Sequence, residues 1–228
     1  MNFAAKDAGA GLPAHELIYR RLRDMVLFGD LQPGQPVTIQ GLVDTLAAGT
    51  TPVREALRRL TAEGALHALG NRRIVVPVLS PEDVEELSVA RVSLEPVLAA
   101  RAVAYVDEDT ITQLANIDAR LDDAIKVGDI PSYLRRNHAF HALLNETAKR
   151  PILKSVVDGL WLRFGPSQRM ICGQIGTRAQ PDRHKDLLVA LRNRDCDAAF
   201  TAMREDVEQG MDLILGATRA TCDSIDSG

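Results

Sequence analysis

Polar side chains interrupt three apolar stripes in the second half of the sequence. Between residues 130 and 148 apolar residues recur with the spacing of a helix, and Asn137 and His141 occupy positions on that inward face. His184 begins a second stripe, and Asp206 interrupts a third. Because burying an unpaired imidazole or carboxylate is costly, these groups must satisfy one another, hold water or bind a ligand.

A divalent cation suits this set of side chains. Two imidazoles, one carboxylate and one amide oxygen are acceptable ligands for zinc, nickel, manganese or iron. The spacing of four residues places Asn137 and His141 on one face of a helix. We predict a metal site formed by Asn137, His141, His184 and Asp206. A polar core held together by internal hydrogen bonds explains the same pattern, and the spacing leaves both interpretations open.

Arg91 falls on another inward-facing stripe, which it shares with Val84, Leu87 and Leu98. A guanidinium there could bind the carboxylate of a small effector, since its planar fork pairs with carboxylates through two hydrogen bonds. The alternative is a structural ion pair with Glu95, one turn further on, or with another acidic side chain. We predict effector binding at Arg91 and keep the ion pair as the competing interpretation.

The best specified helix of the first third presents side chains suited to DNA. Thr51 is placed to cap this helix, Pro52 suits its first position, and apolar residues from Val53 to Leu60 form its buried stripe. Hydroxyls and amides at its start could reach phosphates, and the fork of an arginine can pair with a guanine edge. A merely solvated helix face would look similar, but the order of the surrounding elements favours DNA binding. The predicted DNA contacts are Thr50, Thr51, Arg54, Arg58, and, at the tip of a hairpin, Arg72 and Arg73.

Charge is distributed unevenly along the chain. The 228 residues carry a formal net charge of −4, which argues against indiscriminate binding of nucleic acid. Residues 1–79 nevertheless hold nine Lys and Arg against seven Asp and Glu, whereas the remainder holds 18 against 24. DNA contacts should therefore come from the first third. With neither a signal-peptide pattern nor an apolar run long enough to span a membrane, a cytoplasmic protein is expected.

These candidate residues require elements that position them. After a flexible tail at residues 1–12, the patterns predict a helix, a helix-turn-helix and a basic hairpin over residues 13–79, the order of a winged helix-turn-helix. Helical stripes alone follow over residues 80–228, starting at a capping box in SPED and ending near residue 216. We predict a mainly α fold, in which the DNA-binding part is followed by an all-α helical bundle for effector binding and dimerisation.

The segment TTPVREALRRLTAEGAL resembles the recognition-helix segment of GntR-type transcription regulators, and the similarity covers residues from about 14 to 79. The helical second part is similar to the FCD ligand-binding domain of the FadR-type branch. The Asp/Asn-x-x-Phe-His motif of that domain stands here as Asn137, Phe140 and His141, and its next metal-binding histidine corresponds to His184. The last metal-binding histidine of the family falls on Asp206. The resemblance implies a metal beneath a pocket for an organic acid.

The resemblance also implies a function. It implies a homodimer on a palindromic double-stranded DNA operator, repression relieved by a small organic acid, and no catalytic activity. Thr50 stands where the family usually has arginine, a change that could alter the operator sequence. Two other functions stay open: a metal-dependent enzyme built on two histidines and one carboxylate, and a dimeric DNA-binding protein that needs no ligand. No nucleotide-binding loop, nucleophile elbow or zinc-protease motif supports the enzyme.

Overall fold

The computed structural model describes residues 12–70, 73–175 and 183–226, and within these ranges the chain is mainly helical. The first part contains α1 (Ala14–Leu27), β1 (Pro36–Val37), α2 (Ile39–Leu46), α3 (Thr50–Ala62), β2 (His67–Leu69) and β3 (Arg73–Val75). The second part contains α4 (Pro81–Ala102), α5 (Glu108–Val127), α6 (Ile130–Thr147), α7 (Pro151–Ile175), α8 (Arg183–Arg192) and α9 (Cys196–Asp226). The predicted fold class, a winged helix-turn-helix followed by an all-α bundle, is confirmed. Residues 1–11 of the predicted tail and Arg72 lie outside the described residues.

Apolar faces of α1 and α3 form the core of the first part. Leu22 and Val26 of α1 and Val53 of α3 are completely buried, and burying such a side chain contributes about 1.5–3 kcal/mol. Thr38 caps α2, because its Oγ1 accepts a hydrogen bond from the Gly41 amide at 3.1 Å. This packing fixes the crossing of α1 and α3 and leaves the N-terminus of α3 at the surface.

A three-stranded antiparallel sheet completes the first part, with the strand order β1-β3-β2. Val75 of β3 pairs with Pro36 on one side and with His67 on the other. The sequence indicated only a turn before residue 37, and β1 was missed because two residues are too few for an alternating pattern.

The start of α3 also differs from the prediction. The helix begins at Thr50 with Gly49 as its N-cap, and no side chain makes a capping hydrogen bond. The predicted cap by Thr51 is therefore wrong, because Thr51 already lies inside the first helical turn, and Pro52 is the third residue of the helix rather than the first.

The second part is a bundle in which α4 lies along α9, α5 against α6, and α8 against α9. Its predicted capping box is confirmed: Ser80 Oγ accepts from the Asp83 amide at 3.1 Å, and the Asp83 carboxylate accepts from the Ser80 amide at 2.9 Å. The last helix continues through Gly216 to residue 226, further than predicted, because its apolar stripe fades before the helix ends. None of the helices within the described residues combines the length and the hydrophobicity of a membrane-spanning segment.

Candidate metal centre and DNA-binding surface

Three helices bring together three of the predicted metal ligands. His141 lies on α6, His184 at the start of α8 and Asp206 on α9, and one ligand atom from each lies within 4.8 Å of the other two. Both histidines are buried, whereas 25% of the Asp206 side chain is exposed. The cluster therefore opens on the side of Asp206.

A carboxylate holds the far nitrogen of each imidazole. Glu95 Oε2 lies 3.1 Å from His141 Nδ1, and Asp118 Oδ1 lies 3.1 Å from His184 Nδ1. Because an ionised carboxylate only accepts hydrogen bonds, these contacts assign a proton to each Nδ1. The Nε2 atoms then face Asp206, at 3.2 Å from His141 and 3.8 Å from His184. Metal-binding histidines are commonly oriented by such a carboxylate.

The surroundings of the His184 Nε2 atom indicate whether a cation fits this cluster. It is buried, and within the described ranges it has no hydrogen-bond partner. Leaving a buried polar atom unsatisfied costs about 1–3 kcal/mol, a cost that a bond to a cation would remove. Two imidazole nitrogens and a carboxylate suit zinc, nickel, manganese or iron. The residues present therefore fit a divalent cation.

Charges in and around the cluster are paired. Burial alone raises the pKa of Glu95, but the Arg91 guanidinium and the hydrogen bond with His141 outweigh it and hold this pKa at about 2. Burial also raises the pKa of Asp206, and His141 and His184 together bring it to about 2. Burial lowers the pKa of His141, whereas its partners Asp206 and Glu95 raise it to about 9. The two carboxylates thus favour the imidazolium form of His141, and binding of a cation at its Nε2 competes with a proton.

Arg91 is enclosed by other side chains of the bundle. Its Nε donates a hydrogen bond to Glu95 Oε1 at 2.5 Å, and its Nη1 lies 3.4 Å from the sulfur of Met211. The guanidinium lies 4.7 Å from the ring centre of Trp161 and 4.1 Å from that of Phe164. The ion pair with Glu95, the competing interpretation from the sequence, is present. Effector binding at Arg91 stays a prediction, in which the effector would share the guanidinium with Glu95.

Two asparagines lie one turn either side of His141 on α6. Asn137, the predicted fourth ligand, is half-buried, and its role as a ligand stays a prediction. Asn145 is buried, and its Oδ1 has no hydrogen-bond partner in the part of the chain that the structure describes. The sequence pattern did not single out Asn145, which lies one turn beyond His141 and next to the buried Leu144.

Sequence analysis also missed the two carboxylates behind the histidines. Asp118 interrupts the buried stripe of Ile111, Leu114 and Leu121 on α5, which is the same signal that identified Asp206. Glu95 was considered only as a partner of an arginine. A search for acidic residues in apolar stripes would have found Asp118, but not which histidine it contacts.

The N-terminus of α3 presents the predicted DNA contacts to solvent. Thr50, Thr51 and Arg54 are exposed. Because Gly49 supplies no capping side chain, the amides of the first turn stay available for a phosphate oxygen. An open groove of about 700 Å³ runs between this end of α3 and the start of α1, where His15 lies. Sequence analysis had not included His15.

The remaining predicted DNA contacts differ in their surroundings. Arg58 lies one turn beyond Arg54 and pairs with Glu55 at 2.6 Å, so DNA would have to compete with this exposed pair. Arg73 is exposed on β3. Their roles in DNA binding, like that of Arg72, stay predictions.

Known proteins resemble both parts of this chain. Residues 14–76 match the family described as bacterial regulatory proteins, gntR family, and residues 86–209 match the FCD domain. The HTH-type transcriptional regulator McbR of Escherichia coli is 26% identical over 196 residues, which cover 85% of this chain and 89% of McbR. The HTH-type transcriptional repressor RspR of Escherichia coli is 25% identical over 198 residues, 86% of this chain and 87% of RspR.

Solved structures show the same architecture. Escherichia coli McbR/YncC superposes with a TM-score of 0.84 at 24% sequence identity, and the match covers 90% of this chain and 99% of the McbR/YncC chain. A putative transcriptional regulator GntR from a Rhodococcus species superposes with a TM-score of 0.73 at 21% identity, covering 89% and 98%. At these identities the likeness shows the fold.

Proposed function

Because the chain belongs to the GntR family of bacterial regulatory proteins and carries an FCD domain, we propose that it is a transcription repressor controlled by a divalent metal and a small organic acid. Its relatives are regulators of transcription and not enzymes. DNA binding is assigned to the winged helix-turn-helix, and control is assigned to the helical bundle.

One observation carries the proposed metal site. Glu95 and Asp118 fix the two imidazoles so that both Nε2 atoms converge on the carboxylate of Asp206. His141, His184 and Asp206 would hold the cation, and Asn137 on α6 is the candidate fourth ligand. A cation bound there would supply a positive Lewis-acid centre for an anionic ligand. With three protein ligands, coordination positions stay open, and an organic acid could fill them from the side of Asp206, whose side chain is 25% exposed.

The proposed DNA contact uses two elements of the winged helix-turn-helix: the start of α3, and the wing, which is the hairpin formed by β2 and β3. Thr50, Thr51 and the first-turn amides of α3 would bind phosphates, and Arg54 and Arg58 would reach the major groove. Arg72 and Arg73 of the wing would contact the neighbouring backbone or groove. Phosphate contacts fix the position of the helix, whereas the arginine at the start of α3 would read a base.

The short DNA site that one helix-turn-helix can read supports a homodimer on a palindromic operator. A single helix-turn-helix reads a short half-site, and two copies at a fixed spacing read a symmetric one. Repression is supported by the description of the relative RspR as a repressor. Release from DNA by an organic acid requires that the acid prefer one arrangement of the two domains.

Metal binding and operator binding are tested together on untagged protein. We expect about one Zn²⁺ per chain by mass spectrometry of the metal content, and loss of this Zn²⁺ in His141→Ala and His184→Ala. His67→Ala is the matched control, because His67 is exposed on β2. Operator affinity is measured on a duplex selected from a random library, with and without Zn²⁺ and citrate.

Each alternative function predicts a different result. Protein that binds no Zn²⁺ and whose operator affinity ignores both additions would be a DNA-binding protein without a ligand. Zn²⁺ binding with no selectable DNA sequence would contradict the assignment of a repressor. Sequence-specific binding that changes with Zn²⁺ or citrate supports the proposal.

A further inference from the structure

The turn at residues 28–30, directly after α1, is held by two helices of the second domain. Arg169 of α7 donates hydrogen bonds from Nη1 to the Phe28 carbonyl at 3.1 Å and to Asp30 Oδ1 at 2.7 Å. Arg135 of α6 places its guanidinium 4.4 Å from the centre of the Phe28 ring and pairs with Asp30 at 3.5 Å. This turn of the DNA-binding domain is thus clamped between α6 and α7.

α7 approaches the end of α1 so closely that only glycine fits. A Cβ atom added at Gly165 would lie 2.3 Å from the backbone oxygen of Leu27 and 3.1 Å from its carbonyl carbon. Real Cβ atoms do not approach backbone atoms to such distances, so a side chain here would force the two domains apart. α7 therefore packs directly against the end of α1.

Aromatic rings connect this turn to the metal cluster. The ring of His138 lies between Phe28, at a centroid distance of 5.6 Å, and Trp161, at 5.1 Å, and meets both edge-on. Trp161 then lies 5.0 Å from His141, one of the proposed ligands. Phe28 and Trp161 are buried, and ring pairs at these distances are favourable contacts. Packed rings therefore join the first domain to the imidazole of the cluster without a gap.

Beside this contact the two domains are separated. A cleft of about 1030 Å³ lies between α1, α3, α6 and α7, and its walls include Arg23, Arg59, His138 and Asp158. The first domain thus touches the second at the 28–30 turn and has open space next to it.

We infer that the 28–30 turn transmits the state of the metal site to the DNA-binding domain, with His138 and Trp161 as positioning residues. α6 carries His141 into the cluster and, three residues earlier, His138 against Phe28, so a cation that fixes His141 also fixes the helix that holds the turn. This inference rests on the proposed function. Coupling of this kind is a free energy between two sites and must be measured as one.

The experiment measures how much Zn²⁺ changes the affinity for the selected operator duplex. In the wild type we expect a change of about 5–150-fold, the usual size of such coupling, and by reciprocity the same change of Zn²⁺ affinity when DNA is added. We call the ratio of operator affinities with and without Zn²⁺ the coupling factor. In His138→Ala and Phe28→Leu, Zn²⁺ binding and operator binding each persist, but Zn²⁺ no longer changes the operator affinity, so the coupling factor is about 1. His138→Phe restores it, because the ring contacts stay.

Tyr105→Ala is the matched control, since Tyr105 is a partly exposed ring of the second domain that contacts Lys149 and Arg150 rather than the turn. Its coupling factor equals that of the wild type. Should His138→Ala fail to fold by circular dichroism, Phe28→Leu carries the test. Full coupling in the folded disrupted variants overturns the inference and leaves the proposed function intact. Wild-type protein whose operator affinity does not respond to Zn²⁺ overturns the inference, and if the affinity does not respond to citrate either, the proposed function is overturned as well.

Discussion

Asp118 offers a test of the metal site that leaves the proposed ligands in place. Asp118 is buried, and its Oδ1 lies 3.1 Å from His184 Nδ1. Loss of a partner behind a metal-binding histidine typically lowers metal affinity 10–100-fold, or about 1.4–2.7 kcal/mol. In Asp118→Asn the amide oxygen can still accept the hydrogen bond and only the charge is lost, so we expect a loss of about tenfold. Asp118→Ala removes both and should approach about 100-fold.

The assay is competition for Zn²⁺ against a chromophoric chelator at fixed pH. Asp122→Asn is the matched control. Asp122 also joins α5 to α8, because it accepts a hydrogen bond from Lys185 Nζ at 2.9 Å, but its partner is a lysine and not a histidine. Its Zn²⁺ affinity should equal that of the wild type. Thermal melts without metal show that each variant is folded. Wild-type affinity in both folded Asp118 variants would refute the role assigned to this carboxylate.

Three further predictions concern DNA binding and stability. Arg54→Ala should weaken binding to the selected operator by about 1–3 kcal/mol in gel-shift titrations, and unchanged affinity would remove Arg54 from the readout. Gly165→Ala should lower the free energy of unfolding in urea by about 1–3 kcal/mol, because the added Cβ meets Leu27. Gly159→Ala in the same helix has open space at its Cβ and should raise this free energy by up to about 1 kcal/mol. Equal effects of the two substitutions would contradict the close contact. Ser80→Ala should cost about 0.5–2 kcal/mol in the same assay through loss of the capping box, and a neutral result would show that the cap does not stabilise α4.

Much of the fold was predictable because helical periodicity and punctuation are local signals. The capping box at Ser80 and the amphipathic pattern of α3 lie within a few residues of the features that they predict. β1 was missed because it is a strand only through its pairing with β3. The end of α9 was missed because its last turns carry no apolar stripe.

The candidate site was predictable in part for the same reason. His141, His184 and Asp206 stand out one by one as polar residues on apolar faces, and the structure gathers them. Which carboxylate lies behind which histidine depends on how α4 and α5 pack against α6 and α8, and no local pattern contains that information. The contact of His138 with Phe28 depends on the packing of one domain on the other, so sequence analysis gave no sign of it.

A crystal structure of Zn²⁺-loaded protein, with anomalous scattering recorded at the zinc edge, tests the central claim most directly. We expect one strong peak per chain, within about 2.0–2.2 Å of His141 Nε2, His184 Nε2 and a carboxylate oxygen of Asp206. An empty cluster with zinc bound elsewhere, or zinc on an Nδ1 atom in place of Glu95 or Asp118, would contradict it.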